Sequence, residues 1–397
     1  MNITITPSLL LGDISIIPSK SLLHRYLICS AFADTTTELI GSTTARDIEA
    51  TIGCLRALGA NIIATEIGFI VEPIQTLPAR ATLHCFDSGT TFRFMLPIIG
   101  ALGIDAKFIL SGRLPQRPIA PLLEEMERMG CCLSWLDSNT LHCCGRLTSG
   151  TFSITGNISS QFISGLLFGC ALMDGHSKIS VLGKLESQPY VDLTLQVLSA
   201  FGLSACELSL EGCVFRSPGR VFIEGDWSSA ACFLSANAMG SKIHVTGLSD
   251  ASLQGDREII NIIHKIENNI SIDASNIPDL VPILAVVACN KCGATFHNVD
   301  RLRLKESDRI VSLCTLLRSL GCSVTTTKNT LTVCPGRFKS CTVDACKDHR
   351  IAMAAAVAAT VADGPVTVIG AECVEKSYPS FWQEYQRLGG KYEQQLW

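Results

Sequence analysis

The chain has 397 residues, of which 47% are hydrophobic and only 17% charged, with a net charge of −4 and a pI near 6.1. At ~150 residues per domain this length makes two or three domains with ample core, and two are expected, with no disordered tail. The acidic balance and the absence of any basic run exclude a long polyanion such as DNA or RNA, and the longest apolar runs, such as Ile351 to Ala362, fall short of the ~20 residues that span a bilayer.

In chain order, Met1-Asn-Ile-Thr-Ile-Thr6 alternates like a strand and lacks the basic-then-apolar profile of a secretory signal, which predicts a cytoplasmic protein. Lys20 then precedes a helix that contains Arg25 and continues through Tyr26, Leu27 and Cys29. The first helix stop is Cys54-Leu-Arg-Ala-Leu-Gly59. Phe86-Asp87-Ser-Gly89-Thr-Thr91-Phe-Arg93 is a turn of small residues whose N–H groups could approach an anion. Arg117-Pro118 is expected to start the helix that stops at Gly130. Ser159, Ser160 and Gln161 open the next helix, and Ser187-Gln-Pro-Tyr190 opens one that stops at Gly202. A weaker stop runs from Ile259 to Asn269, where Asn268 or Asn269 would take the left-handed position. Asp279 precedes a very apolar run. Ser307 is the expected N-cap of a helix that carries Ile310, Leu313, Leu316, Leu317 and Leu320 up to Gly321. Asp348-His349-Arg350 opens an alanine-rich helix, and Glu375-Lys376 precedes the last one, which stops at Gly389.

The six stops recur roughly every 50–70 residues, and this repeat suggests two lobes of three α/β units. The cysteines number 19, an odd count with scattered spacing and no secretion signal, so free thiols filling the core are expected. The Cys289-Asn-Lys-Cys292 pair and the doublets Cys131-Cys132 and Cys143-Cys144 read the same way, in preference to a zinc site. Each polar cluster taken singly reads as a plain helix cap or a surface charge. Their recurrence at helix starts, in a chain poor in charge, points to the binding of small anions such as phosphate or carboxylate. Glu306, an acid placed among Lys305 and Arg309, does not suit anion binding and reads as a clamp or a proton carrier.

Lys305-Glu-Ser-Asp-Arg309, Asp348-His-Arg350, Ser88-Gly-Thr-Thr91, Ser159-Ser-Gln161, Glu224-Gly-Asp226 and the Lys20-Ser21/Arg25 opening together resemble the 5-enolpyruvylshikimate-3-phosphate (EPSP) synthase family, from about residue 16 to the C-terminus. The resemblance implies an α/β, two-lobed inside-out barrel of six βαβαββ units. Residues 16–223 would form one lobe and residues 1–15 with 224–397 the other, with the N-terminal strand completing the second lobe and the active site in the interlobe cleft. It implies transfer of the enolpyruvyl group of phosphoenolpyruvate to the 5-hydroxyl of shikimate 3-phosphate with release of phosphate, a step of the shikimate pathway to chorismate and the aromatic amino acids. The enzyme would be a monomer with no metal or cofactor.

Carried over to this sequence, Lys20, Ser21, Arg25, Ser159, Ser160, Ser187, Asp279 and Lys305 should hold shikimate 3-phosphate, with Tyr190 against its ring. Lys20, Gly89, Arg117, Gln161, Arg309, Arg350 and Lys376 should surround phosphoenolpyruvate. The chemistry needs a base near the attacking hydroxyl and an acid near the methylene; Asp279 is expected in the first role and Glu306 with Lys20 in the second. Members of the family with glycine at the Gly89 position are generally sensitive to glyphosate, which makes this chain an expected target. Asp87, Arg301 and Gln188 depart from the usual family pattern, and so does Phe94, where many members carry proline. The rival readings are a UDP-N-acetylglucosamine enolpyruvyl transferase, which typically carries a cysteine in the loop before the Arg-Pro pair, and a non-catalytic anion-binding protein of the same fold. Between Phe86 and Gly130 this chain has no cysteine, and both Asp279 and Glu306 are present.

Overall fold

The computed structural model describes residues 1–266 and 270–395, and the chain divides into two compact units, Pro18–Ile223 and Met1–Ile17 with Glu224–Trp397. Each unit buries its own apolar core. No helix among the described residues is long and apolar enough to cross a membrane; the alanine-rich helix is His349–Ala359.

Among the described residues there are six sheets, three in each unit, and four of them share one topology. In the sheet ordered Arg80–Phe86, Asp105–Leu110, Thr140–Gly145, Cys131–Trp135, the first pair is parallel and the others antiparallel. The parallel pair needs a helical crossover, which Gly89–Leu102 supplies, and Ala120–Arg128 leads to the closing hairpin. This is one βαβαββ unit. Ile270–Asp273, Ala294–His297, Thr330–Val333 and Val324–Thr326 repeat it without change. Two further sheets reach the same order with one strand from a distant part of the chain. Arg220–Phe222 pairs parallel with Thr37–Ile40, and Asn2–Thr6 is inserted antiparallel between Val366–Ile369 and Lys391–Gln395. The remaining two are shorter: Thr151–Thr155, His176–Leu182 and Ser209–Glu211 form three strands, and Leu11–Ser15 pairs only with Lys242–Thr246.

The glycine stops behave as their chemistry requires. Gly59, Gly130, Gly202, Gly321 and Gly389 all have φ between +82° and +111°, the left-handed region that lets a helix end without a Cβ clash. The fourth stop, at Asn268 or Asn269, lies outside the described residues.

One helix pair shows how the fold aligns polar residues. Pro97 has no N–H to close the bond to the Arg93 carbonyl within Gly89–Leu102. The helix Ser160–Ala171 passes there with Gly165 and Gly169 on the contact face; a Cβ on Gly165 would stand 2.1 Å from the Arg93 carbonyl oxygen, and one on Gly169 2.9 Å from that of Pro97. This close approach sets the N-terminal turns of the two helices side by side.

Free thiols throughout is an expectation that fails at one pair. Cys289 and Cys322 are joined as a disulfide, because the end of the helix Val281–Asn290 packs on the segment just after Gly321, a proximity that their separation of 33 residues does not reveal. Cys131 and Cys143 are free and buried, as core filling requires.

Candidate active site

In the unit Pro18–Ile223 the polar groups gather at the starts of four helices. Ser19 caps the helix Lys20–Ala31, so Lys20 is its first residue and does not precede it. Its ammonium pairs with Asp47 at 2.7 Å, and Asp47 belongs to the first turn of Arg46–Ala57. Arg25, on the same helix, is buried. Its guanidinium donates to the carbonyls of Ser21 at 2.6 Å and Tyr190 at 2.7 Å and to the Thr194 hydroxyl at 2.8 Å, and it lies over the Phe94 ring. Burial lowers its pKa to about 9, but the neighbouring acceptors still favour the cation.

Ser88 caps Gly89–Leu102, and Ser159 caps Ser160–Ala171 through the Gln161 N–H. The amide of Gln161 is used at both ends: Oε1 accepts from Arg93 at 3.1 Å and Nε2 donates to Thr90 at 2.8 Å. Gly89 faces two guanidinium groups, and a Cβ there would fall 2.7 Å from Arg93 and 2.9 Å from Arg117. Arg117 follows the short turn Leu114–Gln116 in extended conformation, and the helix itself begins at Ala120. Pro118 and the cap Ile119 stand between them, which corrects the expected helix start. Ser187 occupies the N-cap position of Gln188–Ala200 with φ +57°, a strained position for serine, and such strain gathers at functional sites.

The other unit holds a denser cluster. Asp279, in the turn before Val281–Asn290, meets Arg309 at 2.8 Å, Lys305 at 3.3 Å and Arg350 at 3.9 Å. Arg309 also pairs with Glu306 at 2.7 Å and Asp348 at 2.9 Å. Asp348 is fully buried; it caps His349–Ala359 and accepts a further bond from Ser307 at 3.0 Å. The expected Ser307 cap is therefore replaced. Asp308 caps Arg309–Ser319 by accepting from the Val311 N–H at 3.1 Å, which leaves the Ser307 hydroxyl for Asp348. Lys376 is buried at the end of the turn Ala371–Lys376, five residues ahead of the last helix, Phe381–Arg387. Arg301 is buried too and donates to the Ser275 carbonyl at 2.7 Å.

These charges set one another's proton affinity. Burial alone would raise the Asp279 pKa, but Lys305, Arg309 and Arg350 outweigh it and hold the carboxyl well below the ordinary range. Lys305 is lowered, chiefly by burial, with Asp279 opposing. Arg309 is raised: burial works against its charge, but Asp348, Glu306 and Asp279 together prevail.

The sequence therefore anticipated Asp279, Lys305, Glu306, Arg309 and Arg350 as candidates, and the fold brings those five together. It brings Gly89, Arg117 and Gln161 around Arg93, and it places Arg25 beside the carbonyl of Tyr190. What the sequence reading missed are the holders: Asp47 for Lys20, Thr194 for Arg25, and Arg93 for Gln161. An acid in a first helical turn carries no mark that separates a lysine's partner from a plain dipole contact.

A family model described as EPSP synthase (3-phosphoshikimate 1-carboxyvinyltransferase) matches residues 5–275 and 267–385. A 3-phosphoshikimate 1-carboxyvinyltransferase from Clostridium perfringens is 37% identical over 98% of this chain and 98% of its own length. One from Clostridium kluyveri is 36% identical over 99% and 98%. Among solved structures, EPSP synthase from Acinetobacter baumannii superposes with a TM-score of 0.81 at 22% identity, covering 99% of this chain and all of the other. The enolpyruvyl transferase NikO from Streptomyces tendae gives 0.79 at 16% identity over 99% and 98%. At those identities the two structures speak for the fold alone.

Proposed function

The chain belongs to the EPSP synthase (3-phosphoshikimate 1-carboxyvinyltransferase) family, and from that premise we propose how its residues divide the work. The enzyme transfers the enolpyruvyl group of phosphoenolpyruvate to the 5-hydroxyl of shikimate 3-phosphate and releases phosphate, in the shikimate pathway. In our reading it does so in the cytoplasm, as a monomer. The single observation that carries the division of roles is the cluster around Asp279, in which three cations and two further carboxylates share one partly buried network.

Arg309, Arg350 and Lys376 are assigned to phosphoenolpyruvate, and so are Lys20, Gly89, Arg117 and Gln161. Lys20, Ser21, Arg25, Ser159, Ser160 and Ser187, with Lys305 and Asp279, hold shikimate 3-phosphate. Glu306 delivers a proton to the methylene of phosphoenolpyruvate, an enol phosphate, which leaves the adjacent carbon with positive character. The 5-hydroxyl oxygen attacks that carbon as Asp279 takes its proton. Loss of a methyl proton and departure of phosphate, with cleavage of its C–O bond, then form the enol ether product; the added proton is returned, the hydroxyl proton leaves with phosphate, and no electrons change hands. Lys20, held by Asp47, is the third residue assigned to proton traffic.

Electrostatics supports Asp279 as a base that substrate switches on. In the ligand-free cluster its lone pairs are occupied by cations and its pKa is depressed. Anionic phosphate and carboxylate groups draw on the same cations, weaken their hold on Asp279, and raise its basicity when there is a proton to accept. The reading is tested by phosphate release with purified protein: release requiring both substrates is expected, and release from phosphoenolpyruvate alone would sink it.

Gly89→Ala gives a sharper expectation. The new methyl would press on the far ends of Arg93 and Arg117, both flexible, so they move and the fold survives. Overpacking of this kind costs ~1–3 kcal/mol, or roughly 5- to 150-fold in affinity. Glyphosate, longer than phosphoenolpyruvate, should lose more: its inhibition constant should rise by a larger factor than the KM for phosphoenolpyruvate. Equal factors would show that Gly89 does not limit the space.

A further inference from the structure

Asp256 is a buried carboxyl that the reaction scheme leaves unused. It lies in the short turn Gly255–Glu258, where Oδ2 accepts from the Ser228 hydroxyl and Oδ1 has no hydrogen-bond partner among the described residues. Ser228 is the second residue of Trp227–Ala238, and its carbonyl accepts from Arg350 at 2.9 Å. Arg350 is held loosely elsewhere. Its contact with Asp279 is 3.9 Å, its buried Nε has no partner among the described residues, and a small cavity lined by Ser228, Cys232, Asp279, Pro282, Ile283 and Met353 adjoins it. The guanidinium thus has room for small shifts, and the one firm side-chain contact that fixes it among the described residues is to the carbonyl of Ser228, the residue whose hydroxyl donates to Asp256.

We propose that Asp256 is a positioning residue that acts through Ser228 and its own charge to set how much of Arg350 is available to phosphoenolpyruvate. The inference rests on the assignment of Arg350 to that substrate. The groups facing Asp256 from the elements around it are Asp279 before Val281–Asn290, Arg350 on His349–Ala359, and Asp226 and Ser228 at the start of Trp227–Ala238. Burial first, then Asp279, raises its pKa to about 7, with Arg350 and the Ser228 bond opposing. Its charge therefore changes within the working range of an enzyme. Below pH 7 the carboxyl is neutral and leaves Arg350 fully cationic toward the substrate; above pH 7 the carboxylate competes for it. By linkage, substrate that claims Arg350 raises the Asp256 pKa, and each unit of rise corresponds to a tenfold weaker apparent affinity at high pH.

The test is the KM for phosphoenolpyruvate between pH 5.5 and 8.5, with shikimate 3-phosphate saturating, compared as ratios so that the substrate's own ionisation cancels. Relative to Asp256→Asn, which keeps the acceptor for Ser228, the parent KM should rise ~3- to 10-fold through a midpoint near 7, with kcat changing much less. Ser228→Ala keeps the carbonyl that holds Arg350 but removes a bond that favours the anion, so its midpoint should move upward. Thermal melts provide a second readout: the parent should lose ground to Asp256→Asn progressively as pH rises from about 4 to about 7 and no further above it, because in that window the unfolded chain has already ionised Asp256 while the fold still holds it protonated. Superimposable KM profiles for parent and Asp256→Asn overturn the proposal, and so does an unmoved midpoint in Ser228→Ala, even if Asp256→Asn fails to fold. If Arg350→Lys leaves the KM for phosphoenolpyruvate unchanged, the assignment of Arg350 falls first and the role of Asp256 with it.

Discussion

Asp279→Asn should lower kcat by ~10²–10⁴-fold while shikimate 3-phosphate still binds, because proton transfer by a positioned base typically contributes that much and the amide keeps the shape of the side chain. The environment of Asp279 makes this specific. Lys305, Arg309 and Arg350 converge on it, so the neutral amide leaves three cations with one fewer counter-charge. Anionic ligands should then bind as well as before or better. The expected signature is a loss in kcat without a matching loss of affinity, measured by steady-state kinetics beside equilibrium titration with shikimate 3-phosphate. Glu306→Gln should show a loss of the same order. The depressed pKa also gives a sign: Asp279 in the free enzyme stays ionised down to unusually low pH, so the acid limb of kcat/KM should not be set by it. Rates near the parent's for both variants would remove the two from the chemistry.

Asp348→Ala should produce the largest loss of stability at any single site described above. This carboxylate is wholly buried and accepts from Arg309, Ser307 and the Arg350 N–H, so truncation takes the acceptor from the Nε of a guanidinium with almost no exposure and uncaps a helix in one step. Breaking a buried pair from one side costs ~3–5 kcal/mol, and loss of a cap adds ~1. Urea unfolding should show the midpoint displaced accordingly. Asp348→Asn retains acceptors for the cap and should lose less, and that difference isolates the charge. Added salt should change little, since buried pairs are poorly screened. A displacement equivalent to under ~1 kcal/mol would mean that Glu306 and Asp279 hold Arg309 by themselves.

Periodic and local features were readable in the chain. The helix behind Arg309 follows from Ile310, Leu313, Leu316, Leu317 and Leu320, all buried, and its end from Gly321. Cations recurring at helix starts point to anion chemistry from the sequence alone. The misreadings lie where two adjacent residues compete for one role, or where contact is made at a distance. Ser307 and Asp308 are both competent caps, and the choice between them was made by Asp348, some forty residues on, which claims the serine hydroxyl. Lys20 finds Asp47 across 27 positions. Gly165 and Gly169 look like weak points in a helix until the freed carbonyl of Arg93 is placed against them. Such choices are settled by tertiary contact, which local propensity does not encode.

The strand Asn2–Thr6 also has a history in time. Both of its neighbours, Val366–Ile369 and Lys391–Gln395, come more than 360 residues later, so this strand is made long before it can be paired. At ~5–20 residues per second a ribosome takes roughly 20–80 s to deliver those neighbours. For that interval Ile3 and Ile5, which end with almost no exposure, have no core to enter, and the unpaired backbone between them can pair with any edge it meets. The unit Pro18–Ile223 is continuous and complete much earlier. Synthesis order thus leaves one unit waiting on its first residues, and it is there that a slow step, or a chaperone's attention, would fall.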